Sequence, residues 1–441
     1  MRVRPWHILV VTWLVVIAYA FPGYMNWDSG AQLWQARTAE YFDWYPPLMA
    51  FLWRYVDMVI AGPFGMLVVQ VSLFLGGLYA LLATRFEART AATIAAALML
   101  FPPILTPMAA VWKDAQMAGY LMAGCALAMQ PSRRARAGGV ILLVLGTAMR
   151  DNAALGLPPL CLLICGTWGF RRRAIAFAAA VGLCLAVAGA ATGASQLVAR
   201  HRLYPWYRTV ALMDIAGTIC HAGPMSDAEL GVILAGTGHS DVHGIQDKIC
   251  SIYTPRVWFA LSHGDARYWN DPAKRPERHA RLVAWWQLVR THPDAYLAHR
   301  RAVMAQLLGL TDDEIWEPVC QTVNPNPDHK DELHHDFSLS WYQRALGRGF
   351  VALGRTIVYR PWAYAVLSLV FLGWAAVRRH GFVLAIAGSG LLYELSYFFA
   401  TAAPDYRYSH WMVVCCAIAG VTIAGERITA GRRPPPREIP R

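Results

Sequence analysis

The sequence is short of charge. Only 15% of its 441 residues are Asp, Glu, Lys or Arg, whereas 56% are apolar and 18 are tryptophan. So few charges cannot cover a soluble surface of that size, which argues against a water-soluble globular fold. Patterned cysteine is also lacking. Nine cysteines are present, with no CxxC pair and no zinc-finger spacing, so neither a structural zinc site nor a thioredoxin-like redox motif is expected. No internal repeat is visible, which disfavours the repeat-built transporter folds. The net charge of +12 would raise nucleic acid as a partner in a soluble chain. Here most of the positive charge sits in short connections between apolar runs, so no nucleic acid partner is expected.

What is present is apolar sequence in lengths that suit a bilayer. About ten segments approach the ~20 residues that span a hydrocarbon core: 6–21, 65–84, 90–105, 115–130, 138–150, 153–169, 174–197, 361–377, 381–400 and 409–425. The first has a basic start and resembles a signal peptide, but no small-residue cleavage site follows, so it reads as a retained span. With ten crossings, seventeen arginines fall on the side of both termini, from Arg2 and Arg4 through Arg171–Arg173 to the tail. The opposite side carries isolated cations, among them Arg37, Lys113, Arg150 and Arg407. Excess Lys and Arg mark the cytoplasmic side. The expectation is an all-α polytopic membrane protein with about ten transmembrane helices, both termini cytoplasmic, and a mainly helical periplasmic segment. Residues 1–197 hold seven spans and a first outer loop, 22–64. Residues 198–360 form the periplasmic segment, 361–425 the last three spans, and 426–441 a basic cytoplasmic tail suited to anionic headgroups. Helices are expected over Arg278 to Val289 and Pro293 to Leu308. Of the cysteines in the outer segment, Cys220 and Cys250 are the preferred disulfide pair, leaving Cys320. The Ala- and Arg-rich composition suggests a bacterial inner membrane.

Four short charged motifs interrupt the outer side. Asp28 follows the first span and precedes a helix with Trp34 and Tyr41 on one face, which ends at Asp43-Trp44-Tyr45-Pro46-Pro47. The plain reading makes Asp28 an N-cap and the aromatics interfacial anchors. Lys113-Asp114 opens the fourth span, where the plain reading is a surface ion pair. Arg150 sits in a very short turn near membrane depth, costly unless it pairs, for instance with Asp151, or binds an anion. Asp405-Tyr406-Arg407-Tyr408 precedes the last span, where a snorkelling arginine is the plain alternative. Carboxylates and cations thus share one face. Carboxylates can activate a hydroxyl or hold a metal; cations at an interface can hold a phosphate.

These motifs resemble those of GT-C glycosyltransferases, near the protein mannosyltransferase and aminoarabinose transferase type (glycosyltransferase family 39). The resemblance covers spans one to six and the last span; 198–360 matches nothing recognisable. It implies inverting transfer of a sugar from a polyprenyl-phosphate donor to an envelope glycan, glycolipid or protein, on the periplasmic face. By position it implies Asp28 as general base, with Asp43 and Asp114 as further catalytic carboxylates. It implies Arg150, Arg407 and Lys113 as the donor-phosphate site, and Trp27, Trp44, Tyr45, Tyr406 and Tyr408 as substrate groove. One departure is that Asp28 is a lone acid, preceded by Asn26 and Trp27, where many relatives have two adjacent acids. No cofactor is fixed by this, and a divalent metal stays an open option. The acids and histidines from Asp312 to His335 (Asp312, Asp313, Glu314, Asp328, His329, Asp331, Glu332, His334, His335) suit a metal or, more plainly, a solvated acidic loop. Other classes remain: a transporter or flippase for a lipid-linked glycan, an enzyme that joins glycans, and a non-catalytic assembly protein.

Overall fold

The computed structural model describes residues 3–238, 243–258, 261, 275–311, 318–322 and 338–431. The acidic cluster 312–335 and the tail beyond 431 lie outside them, so the metal reading of that cluster and the lipid contact of the tail rest on sequence alone. Among the described residues there are helices and two isolated β-bridges, Tyr24 with Ala110 and Phe42 with His201. Every apolar segment expected to span is helical. Five helices are long and apolar enough to cross a membrane: Phe64–Leu82, Arg173–Val198, Pro361–Arg378, Gly381–Ala400 and Tyr406–Glu426. The Arg173–Val198 helix is apolar yet only 17% of its most apolar stretch is buried, as a lipid-facing helix would be.

The segment 90–105 corrects an expectation. It is two helices, Ala88–Met99 and Pro102–Ala109, bent by 70°. Pro102 and Pro103 cause the break, because proline lacks the N–H and forces the preceding residue out of helical geometry; Phe101 is extended. If the pair counts as one span, the total is six. Gln70 stabilises the backbone beyond the bend: its Nε2 donates to Met108 O at 2.8 Å and Ala110 O at 2.9 Å. Gln116 then donates to Gln70 Oε1 at 2.9 Å. Inside a bundle such carbonyls need a partner. The bend sends the chain past the 22–64 segment, where Val111 N donates to Tyr24 O at 2.8 Å and Ser29 Oγ donates to Val111 O at 2.7 Å. Lys113 and Asp114 follow directly.

The helix after Pro5–Ala20 is Trp27–Thr38, and Asn26, not Asp28, is its N-cap, accepting from Ser29 N. Tyr41 lies beyond the helix end, since Ala39 turns left-handed, so Trp34 and Tyr41 do not share a helix face. Tyr41 O instead accepts from Arg200 N and His201 N, tying this segment to the end of the Arg173–Val198 helix. Helices in the core approach closely: a Cβ on Gly77 would lie 2.4 Å from Ala123 N, so only glycine fits there.

Within 198–360 the expected helices exist as Arg275–Thr291 and Pro293–Leu308, packed on Val210–His221. Cys220 and Cys250 are disulfide-bonded, and Cys320 is buried and not in a disulfide. The bond closes a loop of 30 residues, so chain entropy gives it roughly 3.5 kcal/mol. Cys220→Ser is expected to lower resistance of this segment to limited proteolysis at equal expression. Unchanged resistance would show that packing alone holds it.

Candidate functional site

Four chain segments bring charge to one place. Asp28 is on the first turn of Trp27–Thr38. Lys113 and Asp114 open the Lys113–Ala128 helix. Arg150 follows the Arg133–Thr147 helix. Asp405 caps the short turn Tyr406–Ser409, which carries Arg407 into the last helix. The turn after Arg150 is docked by Asn152 Nδ2 donating to Ser396 Oγ at 2.8 Å and by Ser389 Oγ donating to Gly156 O at 2.7 Å.

The charges interlock. Arg407 Nη2 lies 2.5 Å from Asp28 Oδ2, and its Nε lies 2.8 Å from Asp405 Oδ2 and 3.9 Å from Asp114 Oδ2. Arg150 meets Asp114 Oδ1 at 2.7 Å. Lys113 Nζ is 3.7 Å from Asp28 Oδ2. The Tyr45 hydroxyl donates to Asp28 Oδ1 at 2.7 Å. Aromatic faces cover the cations: Tyr408 under Arg150 at 4.3 Å, Trp112 under Arg407 at 5.0 Å, and Tyr45 under Lys113 at 4.0 Å. Asp114 is 1% exposed, Arg407 5% and Lys113 6%. The three acids balance the three cations, yet charges removed from water this far cost several kcal/mol each before pairing returns it. Among the described residues Arg407 Nη1 is buried with no hydrogen-bond partner, a donor left for something else.

The plain readings of Lys113-Asp114 as a surface pair and of Arg150 with Asp151 as an internal pair are both overturned. Lys113 and Asp114 are buried, and Arg150 pairs with Asp114. Among the sequence candidates, Asp28, Asp114, Lys113, Arg150, Arg407, Tyr45 and Tyr408 converge. Asp43 does not join them: its Oδ1 accepts from Leu203 N, and it lines a separate cavity of about 350 Å³. Trp44 packs on Trp258 at 5.3 Å, and Trp27 is 50% exposed. Tyr406 is buried, its hydroxyl on Pro103 O at 3.3 Å, as a packing residue. Sequence reading assigned no role to Asp405, Trp112 or Tyr397, whose ring stacks on Tyr408 at 5.0 Å. Asp405 stood inside a quoted motif and Trp112 directly before another, but Tyr397 gave no local signal.

Burial opposes ionisation of Asp28, but Arg407, Lys113 and the Tyr45 hydroxyl outweigh it and hold the carboxyl well below the usual carboxylate range. Burial raises the Tyr45 phenol, and Asp28 raises it further, so it stays a donor. A depressed carboxyl contributes stability that is complete above its unfolded value of about 4 and is lost only as pH falls through the lower folded value. Carbodiimide labelling of Asp28, read by mass spectrometry, is expected to stay low and flat between about pH 5 and 8. A rise toward the acid end would mean that the cations do not hold it.

The donor set does not suit a divalent metal. Each acid in the cluster is already met by Arg or Lys, and among the described residues no group of three or more His, Cys, Asp or Glu is placed to hold a metal ion. The arrangement suits an anion, with guanidinium donors in fixed positions. Compared with known proteins, the chain matches no family model, no curated protein and no solved structure.

Proposed function

We propose that this chain is an inverting membrane glycosyltransferase that moves a sugar from a polyprenyl-phosphate donor to an envelope glycan, glycolipid or protein. One observation carries the reading: Lys113, Arg150 and Arg407 meet in a buried cluster where the ends of apolar helices converge. A phosphate monoester leaving with the polyprenyl chain needs charge stabilisation, and fixed cations away from bulk water supply it. Arg407 and Arg150 hold the phosphate, with Lys113 beside them. Asp28, Asp114 and Asp405 keep the cations in place until the donor arrives. The donor's tail lies along apolar helix surface such as that of Arg173–Val198. The arginine distribution supports cytoplasmic termini and a site on the periplasmic side of an inner membrane, and the Cys220–Cys250 bond fits an oxidising compartment.

Gene deletion and complementation test the reading. In the deletion strain a sugar should vanish from an envelope glycan while its polyprenyl-phosphate donor accumulates, and the wild-type gene should reverse both. If a whole glycan instead stalls on its carrier lipid with the donor pool unchanged, a transporter or glycan-joining enzyme replaces this reading.

A further inference from the structure

Resting on that reading, we infer that Asp151, and not Asp28, is the carboxylate that takes the proton from the acceptor hydroxyl, acting in the cavity it shares with Asp43. The argument begins with inversion. The acceptor oxygen attacks the anomeric carbon from the face opposite the leaving phosphate, so base and phosphate site lie on opposite sides of the sugar. Asp28 is on the phosphate side: it is 2.5 Å from Arg407 and 3.7 Å from Lys113, and its other oxygen is held by Tyr45.

Asp151 has the complementary placement. Its neighbour Arg150 turns into the ion cluster to meet Asp114, while Asp151 lines the cavity of about 350 Å³. The same division occurs on the facing segment. Asp43 and Pro46 line the cavity, while Tyr45 between them reaches Asp28. Segments 43–46 and 150–151 therefore stand between the ion cluster and the open cavity, close enough that Lys113 and Arg150 still act on Asp151 electrostatically. The cavity has a size suited to a small ligand. Its far wall is the small-residue face of the Arg173–Val198 helix, including Ala188, Ala191 and Thr192. A sugar lying between the cluster and the cavity has its phosphate on Arg150 and Arg407 and its attackable face toward Asp151.

Among the described residues the Asp151 side chain makes no hydrogen bond or ion pair, and it is exposed to the cavity. Asp43 is less free, because one oxygen accepts from Leu203 N. Asp43 holds the 201–205 strand of chain that closes the cavity beside Arg202 and Pro205. In the step, the acceptor oxygen forms a bond to the anomeric carbon and the anomeric carbon–phosphate oxygen bond breaks. The acceptor proton passes to Asp151. The electron pair leaves on the polyprenyl phosphate, against Arg407, Arg150 and Lys113.

The test compares wild type, Asp151→Asn and Asp151→Glu in the deletion strain, and measures binding of polyprenyl phosphate to the purified proteins in detergent. Asp151→Asn is expected to lower transfer by about 10²–10⁴-fold, while polyprenyl phosphate binds within about twofold of wild type. Asp151→Glu should recover part of the rate. Full transfer by Asp151→Asn, in a strain where deletion does cause donor accumulation, overturns the assignment and leaves the transferase reading standing. Loss of transfer together with loss of polyprenyl phosphate binding makes Asp151 structural and also overturns it. If deletion changes neither glycan nor donor, the failure belongs to the underlying reading.

Discussion

Arg407→Ala should reduce transfer by about 10²–10³-fold, at the upper end for removal of one fixed charge donor, and should weaken donor binding more than acceptor binding. Two losses combine. In the proposed phosphate site, the donor loses the guanidinium whose Nη1 is buried without a hydrogen-bond partner among the described residues. Asp28 and Asp405 lose the cation at 2.5 and 2.8 Å, which leaves buried carboxylates uncompensated. Arg407→Lys should recover little, because one ammonium cannot reach both acids with the geometry of a planar fork. Titration of purified protein with polyprenyl phosphate separates the effects from misfolding. Weakened phosphate binding by protein that is still folded, together with a lowered melting temperature from the uncompensated carboxylates, is the expected result. Wild-type phosphate binding in Arg407→Ala would remove this residue from the phosphate site.

The sequence disclosed this cluster unevenly, for physical reasons. Asp28, Lys113, Asp114, Arg150 and Arg407 were visible because charge is rare in this chain and each stands at the end of an apolar run. Their pairing was not visible. Local reading joins neighbours, so Arg150 was set against Asp151 and Lys113 against Asp114. In the fold, the partners are Asp114 for Arg150 and Asp28 for Lys113, across separate segments. The cause is the bend at Phe101: once prolines stop the helix, the next residues cross the bundle and Gln70 fixes them there. Nothing in hydropathy marks such a bend inside an apolar run. The N-cap was missed by two residues for a similar reason, since Asn26 and Asp28 are both good caps and the choice depends on where backbone turns. The helices of 198–360 were legible from their break at Thr-His-Pro, but their contacts to the rest of the chain were not.

Those contacts set the second large effect. Asp214→Ala is expected to destabilise the folded protein by about 3–5 kcal/mol, the range for breaking a buried ion pair from one side. Asp214 is 1% exposed, and its carboxylate lies 2.6 Å from Arg300 and 3.0 Å from His299 Nε2, both fully buried; it also accepts from Trp285 Nε1 at 2.8 Å. Tyr253 completes the set on His299 Nδ1 at 2.7 Å. Burial lowers the pKa of His299 more than Asp214 raises it, so the ring is neutral. It then donates from Nε2 and accepts from the tyrosine. A histidine depressed in the fold contributes stability present above its unfolded value of about 6.5 and lost as pH falls below it. Thermal melts should therefore show a stability loss below about pH 6.5 in wild type, and this loss should shrink in His299→Gln. Arg300 also donates to Thr401 O at 2.8 Å and Phe399 O at 3.1 Å, at the end of the Gly381–Ala400 helix and just before the loop that carries Asp405 and Arg407. The double replacement Asp214→Leu with Arg300→Met separates the two roles. An apolar pair can replace a buried ion pair at little cost, so part of the melting temperature should return, the remainder being lost with the acceptor of Trp285 Nε1 and His299 Nε2. The two bonds to the loop do not return, so polyprenyl phosphate binding should stay weak. If binding recovers with stability, the loop holds Arg407 in place by its own packing.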